Sequence, residues 1–222
     1  MEVILAKSAG FCFGVQRAVD TAYKEAGKQH VYTYGPIIHN EEVIEDLRKK
    51  GISVINDLAE LDKQKDETVI IRSHGVSKDV MDQLEAEHVN VVDATCPFVK
   101  KIHTIVQDES KKGNRIIIVG NKDHPEVEGI IGWCETIAYT LQSVYEAENL
   151  VKNIENEPDF EQINFSLVSQ TTFNKNKFKD IVDIIRKKLY NVVVHETICN
   201  ATAVRQTEAR DIAKTVDAMI II

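Results

Sequence analysis

Short apolar segments alternate with amphipathic segments along almost the whole chain, and this alternation restricts the fold more than any other feature. The segments with strand composition are residues 2–6, 31–34, 52–55, 68–72, 89–92, 115–119, 136–139, 166–169, 192–194 and 217–222. The segments with helical spacing are residues 15–26, 41–50, 78–88, 98–112, 144–154, 174–189 and 201–214. Strands that alternate with helices in this way are typical of parallel sheets whose faces the helices cover. The sequence therefore predicts an α/β fold of mostly parallel sheet, with the polar residues 156–162 as the expected linker.

The charge and hydropathy of the chain exclude several classes of function. Its 222 residues carry a formal net charge of -8, which argues against a nucleic-acid-binding surface. No apolar run approaches the ~20 residues that a membrane span needs, and the first residues lack the pattern of a signal peptide. We therefore expect a cytoplasmic protein without nucleic-acid or membrane partners, in which local donors hold any anionic substrate.

Three of the four cysteines occur where a strand or loop ends and a helix begins. They are Cys12, Cys96 and Cys199, and they lie roughly 80 to 100 residues apart, about the length of one small α/β unit. This spacing suggests three pseudo-repeated units, residues 1–95, 96–195 and 196–222, each presenting one thiol at the carboxyl ends of its strands. Because a helix N-terminus favours the thiolate, each of these cysteines is a candidate ligand or nucleophile.

The residues alone leave the role of the three cysteines open. Zinc sites usually contain closely spaced pairs of ligands, and such pairs are missing from this sequence. An iron–sulfur cluster held by three cysteines leaves one iron free for substrate. Three unrelated buried thiols are the simpler structural alternative. The fourth cysteine, Cys134, stands next to Trp133 and is interpreted as a packed thiol.

A second group of candidates consists of histidines in loops that follow predicted strands. His39, His74 and His124 stand beside Gly, Pro or Ser in such loops, where a rigid sheet can aim them at a phosphate. The other histidines lack this setting and are interpreted as surface or packing residues, namely His30, His88, His103 and His195.

Two further polar positions lie near these loops. Glu126 follows His124 by two residues and is either an acid–base group or a carboxylate favoured by the start of a helix. Thr171 and Thr172 follow the predicted strand at residues 166–169 and are either polar site donors or caps of the next helix.

These residues belong to motifs that resemble a known family. The motifs are AGFCFGVQRA, GPIIHNEEV, RSHGVS, DATCPFVKKIH, NKDHPEVEGI, SQTT and TICNATAVRQ, in order from residue 9 to residue 206. The chain is similar over nearly its whole length to the family of 4-hydroxy-3-methylbut-2-enyl diphosphate reductase (LytB-type), the last enzyme of the non-mevalonate isoprenoid pathway. The resemblance implies a trefoil of three similar α/β units around a central [4Fe-4S] cluster.

The resemblance also implies the roles of the candidate residues. Cys12, Cys96 and Cys199 would hold the cluster and leave one iron position open. Glu126 would deliver a proton, and Thr171 would assist near the substrate alcohol. The residues that would line the diphosphate pocket, in place of a Lys/Arg cluster that the motifs lack, are His39, His74 and His124. The implied reaction is the reductive dehydroxylation of the allylic diphosphate to isopentenyl and dimethylallyl diphosphate, with ferredoxin or flavodoxin as the electron donor.

One departure from the family concerns the third unit. The family has a Gly/Asn/Ser-rich phosphate-binding stretch after the strand that here ends at Ile222, and this stretch is missing. We therefore expect a C-terminally truncated chain, which either would bind substrate poorly and be unstable by itself or continues beyond Ile222 in the true product. Two other functions stay open, namely a non-catalytic metal- or cluster-binding redox sensor and an inactive relative that only binds isoprenoid diphosphates. The histidine and glutamate residues argue for the enzyme, because a structural metal site does not need them.

Overall fold

The computed structural model describes residues 2–62 and 66–221. Its strands are β1 (Val31–Tyr34), β2 (Ile52–Ile55), β3 (Thr68–Ile71), β4 (Asn90–Asp93), β5 (Arg115–Val119), β6 (Ala138–Leu141), β7 (Phe165–Ser169) and β8 (Val192–Val194). Its α-helices are α1 (Phe13–Glu25), α2 (Glu41–Lys49), α3 (Lys78–Ala86), α4 (Pro97–Lys111), α5 (Pro125–Ile131), α6 (Val144–Glu155), α7 (Lys175–Lys188) and α8 (Asn200–Ala213). Short 3-10 turns lie at Leu58–Glu60 and Phe160–Gln162. The predicted alternation of strand and helix is confirmed.

The strands form two parallel four-stranded sheets with the same internal order. The first sheet has the order β2-β1-β3-β4, and the second has the order β6-β5-β7-β8. In the first sheet Val31 pairs with both Ile52 and Thr68. In the second sheet β5 lies between β6 and β7 in the same way, and all the pairings of both sheets are parallel. The shared order supports two repeated units, while the boundaries at residues 95 and 195 stay a prediction.

Strand β5 shows how the core of the second sheet is built. Ile117 is fully buried on one face, in a cluster that includes residues of α6 and α7. Ile118 is fully buried on the opposite face, in a cluster with Ile102 of α4 and Val168 of β7. Because both faces are covered, the strand is apolar at every position from residue 116 to residue 119, and each buried side chain stabilises the fold by about 1.5–3 kcal/mol.

Helix starts follow the local chemistry of the sequence. The side chain of Asn40 accepts a hydrogen bond from the Val43 N–H at 3.0 Å, and Ser77 caps α3 through the Val80 N–H.

The longest helix of the described residues is α4 with 15 residues, and none of the described helices combines the length and apolar character needed to cross a membrane.

Two predicted strands are wrong. Residues 2–6 have irregular backbone, and Val3 and Leu5 are 81% and 82% exposed. Residues 217–221 also form no strand, with Ile220 87% exposed, and residue 222 lies outside the described residues. Both segments have strand composition, but no neighbouring strand pairs with them in the described part of the chain, and a strand needs such a partner for its backbone hydrogen bonds.

Two further expectations need correction. Helix α5 is missing from the predicted helices, although the start of a helix was one interpretation of Glu126, because its N-cap is His124, which is not one of the usual capping residues. Residues 156–162 are not a linker between units, since they connect α6 to β7 within the second sheet and contain the turn at Phe160–Gln162.

Candidate active site

Most of the predicted site residues stand after the carboxyl ends of parallel strands in both sheets, whereas Cys12 precedes the first strand of the described residues. His39, His74 and Cys96 follow β1, β3 and β4 of the first sheet. The second sheet contributes His124 after β5, Thr171 after β7 and Cys199 after β8. The ring of His124 contacts the rings of His39 and His74, so the carboxyl ends of the two sheets meet at one place. This is the edge of an α/β sheet where ligands bind.

Each of the three predicted cysteines is the N-cap of a helix. Cys12 precedes α1, Cys96 precedes α4 and Cys199 precedes α8, and none of the three side chains makes a capping hydrogen bond. All three thiols are half-buried, and among the described residues no cysteine forms a disulfide. The helix N-termini place backbone N–H groups and a partial positive charge next to the sulfurs, an environment that favours thiolates.

The three thiols lie close enough to influence one another. Burial raises the pKa of the Cys96 thiol, while the nearby backbone N–H groups of Phe98 and Val99 at the start of α4 lower it. Negative charge on Cys12 and Cys199 raises the same pKa further, so both sulfurs lie near Cys96. The structure thus brings together three residues that are far apart in sequence.

Gly14 determines how closely the first two cysteines approach. A Cβ atom at this position would overlap the sulfur of Cys96, because the N-terminus of α1 lies directly against the Cys96 side chain. Gly10, on the other side of Cys12, has a φ of 87°, a conformation that glycine adopts without strain. The path of the chain around Cys12 therefore requires a glycine at both positions.

Arg17 is a site residue that the sequence analysis missed. Its guanidinium donates hydrogen bonds to the carbonyl of Thr95 at 3.0 Å and to the carbonyl of Asp93 at 3.2 Å. These bonds connect α1, which begins after Cys12, to the segment that precedes Cys96. Arg17 stands in the AGFCFGVQRA motif, about one turn after the start of α1, and this position could have marked it as a candidate. Its carbonyl partners are 76 and 78 residues away, so the sequence did not reveal the contact.

The Cys12 segment is also attached to α8. Glu208 accepts hydrogen bonds from the backbone N–H groups of Lys7 at 2.6 Å and Ser8 at 2.8 Å. The guanidinium of Arg205 donates to the carbonyl of Gly10 at 3.2 Å. Since α8 begins after Cys199, these contacts connect the first and third cysteines.

The fourth cysteine lies outside this group. Cys134 packs against the cluster of buried residues around Ile118, and its sulfur donates to the carbonyl of Ile130 at 3.4 Å. Burial raises the pKa of this thiol to about 12, so it is uncharged at neutral pH. The interpretation of Cys134 as a packed thiol is confirmed.

The loop histidines form one cluster. Their ring centroids are 4.9 Å apart for His39 and His74, 5.4 Å for His74 and His124, and 6.4 Å for His39 and His124. Burial lowers the pKa of His74 to about 3, with smaller contributions from the two other rings, and burial also lowers the pKa of His124. Rings with lowered pKa values are neutral at pH 7, and a neutral imidazole has one N–H donor.

The hydrogen bonds of His124 determine its tautomer. Its Nδ1 accepts the backbone N–H of Glu126 at 3.1 Å, as expected for an N-cap. The proton of the neutral ring is therefore on Nε2, where it is available to an acceptor outside the helix. This arrangement suits an anion better than a metal ion, which requires a free lone pair.

Arg72 is a second residue that the sequence analysis did not include. It ends the predicted strand before His74, and its positive charge contributes to the lowered pKa values of His74 and His124. Burial lowers the pKa of Arg72 itself, and nearby Glu128 raises it. The three histidines are therefore accompanied by a cation, although its Nε has no hydrogen-bond partner among the described residues.

Glu126 and Thr171 form a buried pair next to the histidines. Glu126 is 2% exposed, and its two carboxylate oxygens accept the backbone N–H of Thr171 at 2.6 Å and the Thr171 hydroxyl at 2.8 Å. Burial raises the pKa of Glu126, and the two hydrogen bonds oppose that shift. A raised pKa favours the protonated carboxyl, which is the form that a general acid requires.

The interpretation of His30, His88 and His103 as surface or packing residues agrees with their positions, while that of His195 stays a prediction. His103 is buried and stacks on Trp133, with ring centroids 5.4 Å apart, and burial lowers its pKa to about 4. His30 and His88 lie at turns with φ values of 55° and 56°. None of these three is part of the histidine cluster.

Sequence comparisons place this chain in a known group of proteins. A family model described as LytB protein matches residues 3–222. The 4-hydroxy-3-methylbut-2-enyl diphosphate reductase of Caldanaerobacter subterraneus subsp. tengcongensis is 48% identical over 226 residues, covering 100% of this chain and 75% of that protein. The protein of the same name from Clostridioides difficile is 40% identical over 225 residues, covering 100% of this chain and 77% of the relative.

Solved structures share the fold. One, described as (E)-4-hydroxy-3-methyl-but-2-enyl diphosphate reductase, the terminal enzyme of the non-mevalonate pathway, matches with a TM-score of 0.78 and 35% identity, covering 97% of this chain and 74% of its own. The E-1-hydroxy-2-methyl-but-2-enyl-4-diphosphate reductase of Plasmodium falciparum matches with a TM-score of 0.81 and 28% identity, covering 94% and 64%. The chain spans about three quarters of the length of the curated relatives. Because the family model covers nearly all of its residues and the relatives are this similar, the chain belongs to the LytB protein family.

Proposed function

We propose that this chain catalyses the reductive dehydroxylation of 4-hydroxy-3-methylbut-2-enyl diphosphate to isopentenyl and dimethylallyl diphosphate. The reaction adds two electrons and two protons to the allylic alcohol and releases water. One observation supports the assignment most strongly: hydrogen bonds connect His124 to the backbone N–H of Glu126, the Glu126 carboxylate to Thr171, and the Thr171 carbonyl to the backbone N–H of Cys199. These bonds join the histidine cluster, a buried acid and the cysteine site, which is what this reaction requires in one place.

An iron–sulfur cluster is the cofactor characteristic of the family, and the cysteines fit it. Cys12, Cys96 and Cys199 would hold it as three thiolates, since their sulfurs are uncapped and lie near one another at helix N-termini. Gly14 fits the same role, because the side chain that it lacks would fill the space beside Cys96. When bound, a [4Fe-4S] cluster supplies the electrons and one open Lewis-acidic position for the substrate alcohol.

The histidine cluster would bind the diphosphate. His124 presents its Nε2–H, as described above, and the rings of His39 and His74 lie within reach of the same anion. The ligating nitrogens of the three rings all lie within 4.8 Å of one another, a spacing that allows several donors to share one phosphate group. The charge of Arg72 would favour the anion in this half-buried setting.

Glu126 would hold the proton that leaves with the hydroxyl as water. Its burial favours the protonated carboxyl, and Thr171 orients both oxygens. The Thr171 hydroxyl can turn to accept the carboxyl proton or donate to the carboxylate, so the pair remains hydrogen-bonded in both protonation states. Ferredoxin or flavodoxin as the electron donor, and a cytoplasmic location, remain predictions.

The test uses the full-length protein reconstituted with iron and sulfide under anaerobic conditions. We expect about four iron atoms per chain and turnover of the substrate with a chemical reductant. Glu126→Gln should retain the iron and lose turnover, because the amide keeps the geometry but cannot donate the required proton. Cys134→Ser is the matched control and should change neither value.

The outcomes separate the open alternatives. A colourless protein that binds zinc instead of iron would refute the cluster. Full iron content without turnover in the unsubstituted protein would favour a redox sensor, or a relative that only binds isoprenoid diphosphates. Loss of iron in Cys134→Ser would show that the wrong thiols have been chosen as ligands.

A further inference from the structure

Thr197 makes an unusually complete set of buried hydrogen bonds two residues before Cys199. It is 9% exposed and contacts Ser169, which is fully buried at the end of β7. The Ser169 N–H donates to the Thr197 hydroxyl at 2.7 Å, the hydroxyl donates to the Ser169 carbonyl at 2.8 Å, and the two side-chain oxygens are 3.0 Å apart. A hydroxyl has one donor and two acceptor positions, so the Ser169 hydroxyl must be the donor in the third bond. The Thr197 hydroxyl is fully used.

These bonds continue the pairing of β7 and β8 beyond the end of β8. The His195 N–H donates to the carbonyl of Leu167 at 2.8 Å, and the Cys199 N–H donates to the carbonyl of Thr171 at 2.7 Å. Between these two backbone bonds, the hydroxyl of Thr197 supplies the donor that a backbone N–H provides in a regular parallel ladder. The side chain of Thr197 therefore keeps the Cys199 loop in register with the end of β7.

The register matters because Thr171 also holds Glu126. The N–H and hydroxyl of Thr171 donate to the two oxygens of Glu126, and its carbonyl accepts the Cys199 N–H. A shift of the loop along β7 would move the Cys199 thiol relative to the proposed proton donor.

We infer that Thr197 is a positioning residue of this enzyme, whose hydroxyl holds Cys199 and the Glu126–Thr171 pair in a fixed relation. The inference rests on the cysteine-bound cluster of the proposed function. The bonds of the Thr197 hydroxyl go to Ser169, so Thr197 acts through the loop that ends at Cys199.

Thr197→Val removes the hydroxyl while it keeps the branched shape of the side chain. The substitution leaves the N–H, carbonyl and hydroxyl of Ser169 buried without their partner, which loosens the loop. Thr33→Val is the matched control: Thr33 is 2% exposed in β1, and its hydroxyl finds no hydrogen-bond partner among the described residues. Thr197→Ser keeps all three bonds and should restore the behaviour of the unsubstituted protein.

The experiment measures how fast reconstituted full-length protein loses iron to an excess of chelator under anaerobic conditions, from the decay of its visible absorption. We expect release at least about tenfold faster for Thr197→Val, and release within about twofold of the unsubstituted protein for Thr33→Val and Thr197→Ser. The melting temperature of each variant without iron is measured by circular dichroism alongside the kinetics. If both valine variants melt at similarly lowered temperatures, faster iron release confined to Thr197→Val does not come from a general loss of stability.

Unchanged iron release in a folded Thr197→Val protein would overturn the inference, as would a failure of Thr197→Ser to restore it. If Thr197→Val does not fold, Ser169→Ala decides, because it removes only the bond between the two side-chain oxygens; an unchanged rate there overturns the inference and a rate at least about threefold faster supports it. Absence of iron in the unsubstituted protein would instead refute the proposed function.

Discussion

The hydroxyl of Thr171 controls how readily Glu126 ionises, and Thr171→Val is expected to raise the pKa of that carboxyl. The hydroxyl donates to Oε2 of Glu126 at 2.8 Å, and the carboxyl is 2% exposed. A hydrogen bond to a charged group contributes about 1.5–3 kcal/mol, and one pKa unit corresponds to about 1.4 kcal/mol. Because the hydroxyl can also bond to the protonated carboxyl, where a neutral hydrogen bond contributes only about 0.5–1.5 kcal/mol, the pKa depends on the difference between the two bonds, and the pKa of Glu126 should rise by roughly one unit.

The rest of the pair is expected to survive the substitution. The backbone N–H of Thr171 still donates to Oε1 of Glu126, and the backbone carbonyl still accepts the N–H of Cys199. Valine has nearly the same shape as threonine, so the main change is the missing donor. The effect on Glu126 can therefore be measured without dismantling the cysteine site.

The assay is the pH dependence of kcat for the reconstituted enzyme under anaerobic conditions with a chemical reductant. A proton donor must be protonated to act, so the rate falls as the pH rises through its pKa. In Thr171→Val this fall should move to higher pH by roughly one unit, whereas Thr171→Ser, which keeps the hydroxyl, should leave it in place. A fall that stays where it was, or moves to lower pH, would refute Glu126 as the proton donor held by Thr171.

Two further predictions concern the cysteine site and the histidine cluster. Gly14→Ala should bind roughly half or less of the normal iron after reconstitution, because the new Cβ overlaps the sulfur of Cys96; iron analysis showing the normal content would contradict the close approach. Burial lowers the pKa of His74 from 6.5 to about 3, so its contribution to stability is present above pH 6.5 and is lost as the pH falls toward 3. His74→Asn should therefore lose less stability than the unsubstituted protein between about pH 7 and about pH 5 in urea unfolding, and an equal loss in both proteins would argue against this assignment.

Much of the local structure was predictable because its causes are local. The strand at Arg115–Val119 is apolar at successive positions, and Asn40 and Ser77 stand where a helix needs a capping side chain. The candidate site residues were predictable for a related reason. In a parallel α/β fold, polar residues directly after strands reach a common edge, whichever helices separate them.

The incorrect strands show the limit of this reasoning. The composition of residues 2–6 and 217–221 favours strands as strongly as that of β1 or β8, but both segments are irregular in the described structure. Composition reports the preference of a segment, whereas a strand forms only where another strand accepts its backbone hydrogen bonds. Helix α5 shows the opposite error, because the helix forms but is missing from the predicted helices. Its capping group is an imidazole nitrogen, which the usual capping rules do not include.

By itself, the sequence determined the alternation of strands and helices, the three cysteines at helix starts and the polar residues at strand ends. Only the tertiary structure decided which groups meet there. Arg17 donates a hydrogen bond to the carbonyl of Thr95, and Thr197 forms hydrogen bonds with Ser169, 28 residues away in the sequence. Gly14 lies against the side chain of Cys96. Such contacts depend on how the two sheets and their connecting loops pack, because a hydrogen bond or a close approach requires a specific distance that residue type and spacing do not encode.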